Sequence, residues 1–208
     1  MAIYTSQPDE TSGIDTFLYS GAATTNYGTN PEIFVGELNS AADDYRCGLI
    51  KFDLSSIPAS AHIMSATLSL WTSGDYCDTA HTLQLYRSLR AWVESQATWN
   101  IYSTGNNWGT AGSGNSATDY DGANLWASKS MANNVANNTE IQLIFNATGL
   151  VELKKFIDGT YTNNGWLIYV DTWLNTTYGY HSSSGATAGY RPKLTIEFGG
   201  GGLMLFSS

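Results

Sequence analysis

Apolar and polar residues alternate with a period of two along much of the chain, most clearly over residues 46–71. In a first arm, 46–54, Ile50, Phe52 and Leu54 fall on one face while Leu49, Lys51 and Asp53 fall on the other. In a second, 64–71, Met64, Ala66, Leu68 and Leu70 alternate with Ser65, Thr67 and Ser69. A period of two is what a half-buried strand requires. Pro58 removes a backbone donor and Ser55-Ser56 favours a local turn, so the arms are expected to form a hairpin with one apolar face. Such a pair is marginal alone and needs a second layer to cover it.

Further strands are expected at 15–19, 32–36, 81–92, 140–145, 166–171 and 191–198. Leu83 and Leu85, then Ile141, Leu143 and Phe145, then Leu194, Ile196 and Phe198 supply their inward rows. Residues 1–13 read as an edge approach, because Pro8 and Gly13 discourage a central strand. After Phe145 the period changes: Leu150, Leu153, Phe156 and Ile157 recur at helical spacing, with Thr148 as the expected N-cap and Asp158-Gly159 as the stop. This short helix is expected to plug one end of the domain. Residues 102–138 are rich in Gly, Asn and Ser and read as a long irregular excursion, and 172–189 as a polar, aromatic loop.

These elements define an all-β protein, an antiparallel jelly-roll-like β-sandwich with one short helix. Residues 1–198 make a single domain, and 199–208 are a glycine linker followed by an apolar tail, Leu203, Met204, Leu205 and Phe206. The tail is read either as a further edge strand or as an attachment peptide that docks on another structural protein of a multi-copy assembly.

Composition narrows the function. Charged residues are 13% of the chain, about half the usual share of roughly 25%, so the surface is largely neutral and polar. A net charge of −9 argues against a nucleic-acid partner, which rewards a basic stripe. No apolar run approaches the roughly 20 residues a membrane helix needs, and no signal peptide is visible at the start. Cys47 and Cys77 are the only cysteines; they are either a disulfide pair or two separate thiols, and their spacing suggests no zinc site.

Candidate chemistry is thin. Asp53, Glu94, Asp119 and Asp121 could in principle supply the paired carboxylates of a glycoside hydrolase, but 18 acidic residues make some such pair inevitable, and catalysis is not expected. His62, His81 and His181 are scattered. Asp75 with Asp78, or Asp119 to Gly122, offer hard oxygens for calcium without an EF-hand pattern, and loop solvation is the expected role, with no cofactor. Aromatic residues are the better signal, since ring faces stack on the apolar faces of sugars. Trp92, Trp99 and Trp166 lie in patterned segments and are expected in the core. Trp108, Trp126, Trp173, Tyr178 and Tyr180 lie in predicted loops and are the candidate glycan-binding rings, with Lys51 and Lys193 as candidate contacts for acidic sugars. Arg46 and Arg191, at strand starts, are expected to pair with carboxylates.

Several pieces in this order resemble the DNRLRE-type β-sandwich domain, a family related to alginate-binding carbohydrate-binding modules. They are Asp15-Thr16-Phe17-Leu18, Asn26-Tyr27-Gly28, Arg46 with Leu49 to Pro58, Ser65 to Leu70, Trp92 and Glu94, and Thr98-Trp99-Asn100. Phe145 with the helix, Asn164-Gly165-Trp166-Leu167 and Arg191-Pro192-Lys193-Leu194 complete the series. The resemblance implies a sandwich without catalytic machinery, appended to enzymes or displayed on surfaces. With neither enzyme nor export signal in view, the expected setting is a virion or extracellular surface, as a phage decoration or adhesion protein that binds surface glycans. The alternative is a carbohydrate-binding module of a secreted polysaccharide-degrading system, and a hydrolase or lyase is third.

Overall fold

The computed structural model describes residues 1–38, 44–185 and 187–200, apart from the side chains of Asp75 and Cys77. The first half holds β1 (Ala2–Ser6), β2 (Ile14–Tyr19), β3 (Glu32–Glu37), β4 (Tyr45–Lys51), β5 (His62–Cys77) and β6 (His81–Ser88). After them come β7 (Ile101–Ser103), β8 (Asn106–Asn107), β9 (Tyr120–Met131) and β10 (Glu140–Ile144). The helix α1 (Ala147–Ile157) precedes β11 (Trp166–Val170), β12 (Thr176–His181) and β13 (Lys193–Gly199).

One layer runs β1-β13-β5, with β10 on the other edge of β5. The other runs β2-β4-β11-β6-β9. The layers join because β5 outruns β13 and pairs with β12, β12 pairs with β3, and the last residues of β3 reach β4. All these pairings are antiparallel, and the result is one sheet curled into a half-barrel sandwich, jelly-roll-like as expected.

Inward rows from both layers form the main core, among them Ile33, Val35, Ile50, Leu68, Leu83, Leu143 and Ile196. At its helical end the fully buried Trp126 and Trp166 meet edge to face at 5.7 Å, with Phe145 and Phe156 against both. The helix thus plugs the sandwich as its spacing predicts. Its N-cap, however, is Asn146, whose side chain accepts the Gly149 amide at 2.8 Å, so the stronger Asx cap two residues earlier displaces Thr148.

A second core explains why β4 is buried on both faces. Trp92, Ala97 and Trp108, from the excursion after β6, cover Leu18, Cys47, Leu49 and Leu167 on the outer side of the second layer. Leu49 is therefore as buried as Ile50. Cys47 is a free thiol in this second core, 3.1 Å from the Gly112 carbonyl, and not half of a disulfide.

Several sequence expectations are corrected. The two arms do not form a hairpin: β4 pairs with β2, β3 and β11, β5 with β13, β10 and β12, and the connector carries the chain between layers so that the arms face each other across the core. Met64 points to solvent and Ile63 inward, because β5 pairs Ser65 with Glu197 and then Ile63 with Phe198, and the skipped residue reverses the alternation. The excursion at 102–138 contains β9, an edge strand in which Gly, Ala, Asn and Ser interrupt the apolar alternation and whose place is set by pairing with β6. The supposed loop at 172–189 contains β12, buried between β5 and β3. The tail Leu203–Phe206 lies outside the described residues.

Candidate functional site

Most of the predicted sugar-stacking rings are core. Trp126, Tyr178 and Tyr180 are fully buried on β9 and β12 and present no face to a ligand. Trp108 is buried in the second core, with its indole N–H donating to the Thr98 carbonyl at 2.9 Å. These four are corrected, because the segments that looked like loops are strands or are packed onto one. Trp173 alone of the five keeps part of its surface, held edge-on against Tyr169 at 4.7 Å and Tyr45 at 5.3 Å.

The basic residues do not gather on one face. Lys51 ends β4 in the second layer, opposite Ile14, whereas Lys193 sits on β13 in the first, 5.0 Å over the Trp71 ring and 3.9 Å from Glu140. Arg191 donates to the Gly185 carbonyl at 3.0 Å rather than to a carboxylate. Arg46 does pair with a carboxylate, that of Asp44, at 2.7 Å.

What the structure does bring together is a different set of rings. A cleft of about 390 Å³ opens where β3 leaves β12 to join β4, within the usual size range for small-molecule sites. Its walls carry Phe17, Tyr19, Tyr27, Phe34 and Tyr76. The buried Phe17 stacks on Tyr27 at 4.2 Å and meets Phe34 edge-on at 5.3 Å; Phe34 in turn lies 6.0 Å from Tyr76, which is 48% exposed. Polar groups between the rings come from Asn30, Arg46 and Thr177.

Local chemistry fixes each wall. Asn26 donates to the carbonyls of Glu94 at 2.6 Å and Ala97 at 2.8 Å, and its own Oδ1 accepts the Gly28 amide at 3.2 Å. A Cβ on Gly28 would stand 2.6 Å from the Glu94 carbonyl oxygen, so only glycine lets the loop lie this close, and the Asn26-Tyr27-Gly28 motif becomes a device for holding the Tyr27 ring over Phe17. Phe34 lies between the core residues Ile33 and Val35 and so faces the opposite side of β3. Tyr76 stands opposite Thr177 across the β5–β12 pair. Aromatic residues at outward-facing strand positions, such as Phe34 and Tyr76, rather than the aromatics of the apparent loops, are the signal in the sequence for this cleft.

The acidic candidates are otherwise engaged. Asp119 accepts amides from Gly109, Thr110 and Asn115 at 2.7–3.1 Å and pairs with Arg90; burial pushes its carboxyl up, but these donors outweigh burial and hold it below the usual range. Asp121 pairs with Arg87 at 3.0 Å, and Asp53 accepts the Ser55 amide at 2.9 Å. Among the described residues, no three His, Cys, Asp or Glu side chains gather as a metal site.

Fold and cleft together describe a curled β-sandwich module with one ring-walled cleft among its surface features. The chain belongs to carbohydrate-binding module family 96, whose sequence pattern matches residues 7–148, and it carries the fold of that non-catalytic family. The match takes in every wall of the cleft except Thr177. No curated protein matches the chain.

Proposed function

We propose that the chain binds glycans in the cleft between β2, β3 and β5, as a carbohydrate-binding module of a polysaccharide-degrading system. The observation that carries this reading is the row Tyr27, Phe17, Phe34 and Tyr76, rings in mutual contact that end in an exposed tyrosine. Sugar rings offer C–H faces to such a row while their hydroxyls reach Asn30 and the tyrosine oxygens at its margin. Family membership supports a polysaccharide-degrading setting over display on a virion, and docking on another structural protein rests on the tail sequence alone. The DNRLRE subtype and its alginate ligand remain the finer form of the same reading.

Titration calorimetry with a panel of soluble polysaccharides tests it. Tyr76 is exposed, so Tyr76→Ala leaves the melting curve unchanged and weakens binding about five- to tenfold, as expected for an aromatic contact of roughly 1 kcal/mol. Unchanged affinity in this variant sinks the assignment of the site.

A further inference from the structure

We infer that the ring-walled cleft is one end of a longer groove, which grips several consecutive sugars of a polysaccharide rather than one terminal sugar; this rests on glycan binding at that cleft. Farther along β12 lies a second hollow of about 280 Å³, walled by Pro31, Glu32, Ser73, His181, Gly185 and Thr187. Both hollows sit on the same outward face of the β3–β12–β5 sheet. Tyr178 and Tyr180 point into the core, so Thr177, Gly179 and His181 point out; Thr177 lines the cleft and His181 the second hollow. The four residues of strand between them span about 13 Å, more than one sugar ring covers.

The strip between the hollows is floored by glycine. Gly179 stands opposite Gly74 across the β12–β5 pair and beside Phe34 across the β12–β3 pair. A Cβ on Gly179 would lie 2.8 Å from Ser73 Oγ and 3.1 Å from Phe34 Cε1, and one on Gly74 would lie 2.7 Å from Tyr76 Cε2. Neither position carries a side chain of its own, and the strip stays low. One wall is continuous: Asn30 lines the cleft and Pro31 the hollow. Ser182 ties both to the far bank, its Oγ donating to the Asn30 carbonyl at 2.6 Å and its amide to the Pro31 carbonyl at 3.0 Å.

Two observations point to a ligand along the whole length. The hydroxyls of Thr177 in the cleft and Ser73 in the hollow are buried and have no hydrogen-bond partner among the described residues, a costly state that sugar hydroxyls relieve. The hollow also ends, as the cleft does, in stacked rings. His181 lies on Tyr190 at 5.3 Å with 24° between their planes, and its Nε2 is 2.9 Å from Asn138 Oδ1, so the imidazole is held firmly where a sugar can rest against it.

Calorimetry on the full chain tests the groove with dimers and hexamers cut from β-glucan, xylan, mannan and alginate. In at least one series the hexamer is expected to bind at least tenfold more tightly than the dimer, a larger gain than its extra overlapping dimers supply. Thr187→Trp fills the hollow from an exposed position and should weaken the hexamer at least fivefold while leaving the dimer within twofold; His181→Ala should act in the same direction. Tyr76→Ala, at the other end, should weaken both lengths. A hexamer gain below tenfold, with Tyr76→Ala still weakening both lengths, confines binding to the cleft and overturns the inference. So does a full gain that survives Thr187→Trp and His181→Ala in proteins that melt normally. Failure of the glycan site itself reads differently: no saccharide of any series binds, or Tyr76→Ala changes nothing.

Discussion

Asp15 lies inside β2 with its carboxylate accepting the Ser183 amide at 2.8 Å, while its own amide donates to Glu94 Oε1 at 2.8 Å. Burial pushes its carboxyl up from 3.8 to about 6, against the pull of the Ser183 hydrogen bonds and with a smaller push from Glu94. The neutral form is favoured by folding, so the contribution of Asp15 to stability is fully present below pH 4 and is lost as the pH rises through about 6. The loss amounts to about 3 kcal/mol, an order-of-magnitude figure. Asp15→Asn keeps an acceptor for Ser183 without the charge. Its melting temperature should match the parent near pH 4 and exceed it by several degrees at pH 7.5. Parallel melting curves across that range would show that Asp15 does not titrate in this window.

Helix α1 meets β9 through Gly149, where an added Cβ would sit 2.4 Å from the Trp126 carbonyl oxygen. Alanine favours a helix over glycine by about 1 kcal/mol, but here the obstacle is backbone, and overpacking costs about 1–3 kcal/mol. Gly149→Ala should therefore lower stability in urea unfolding, and a gain would mean that the helix stands off the sheet. The same contact shows what was legible among the elements. The helix, β10, β11 and β13 announced themselves through inward rows such as Ile141-Leu143-Phe145, because each is apolar on the side that meets the core. β9 and β12 did not. Their places depend on backbone pairing with β6, β5 and β3, and side chains such as Ser128 or Thr177 carry no sign of it. The reversal at Met64 was likewise invisible, since the skipped residue exists only in the register between β5 and β13.

The cleft belongs to the molecule as a whole, because its walls come from β2, the loop after it, β3, β4, β5 and β12, brought together only when the sheet curls. For that reason the presence of a glycan-binding fold could be read from spaced motifs, while the site could not: Tyr27, Phe34 and Tyr76 are far apart in sequence, and nothing in their spacing joins them. The rings expected in loops turned out to build the core that makes the curl, with Tyr178 and Tyr180 inward on the strand whose outward Thr177 lines the cleft. Backbone amide shifts of the isotopically labelled chain, recorded while a saccharide that binds it is titrated in, test this most directly. The account predicts that the largest changes fall at Tyr19, Tyr27, Phe34, Arg46, Tyr76 and Thr177, with Trp173 and Lys193 unmoved; changes centred on Trp173 or Lys193, with the cleft silent, would contradict it.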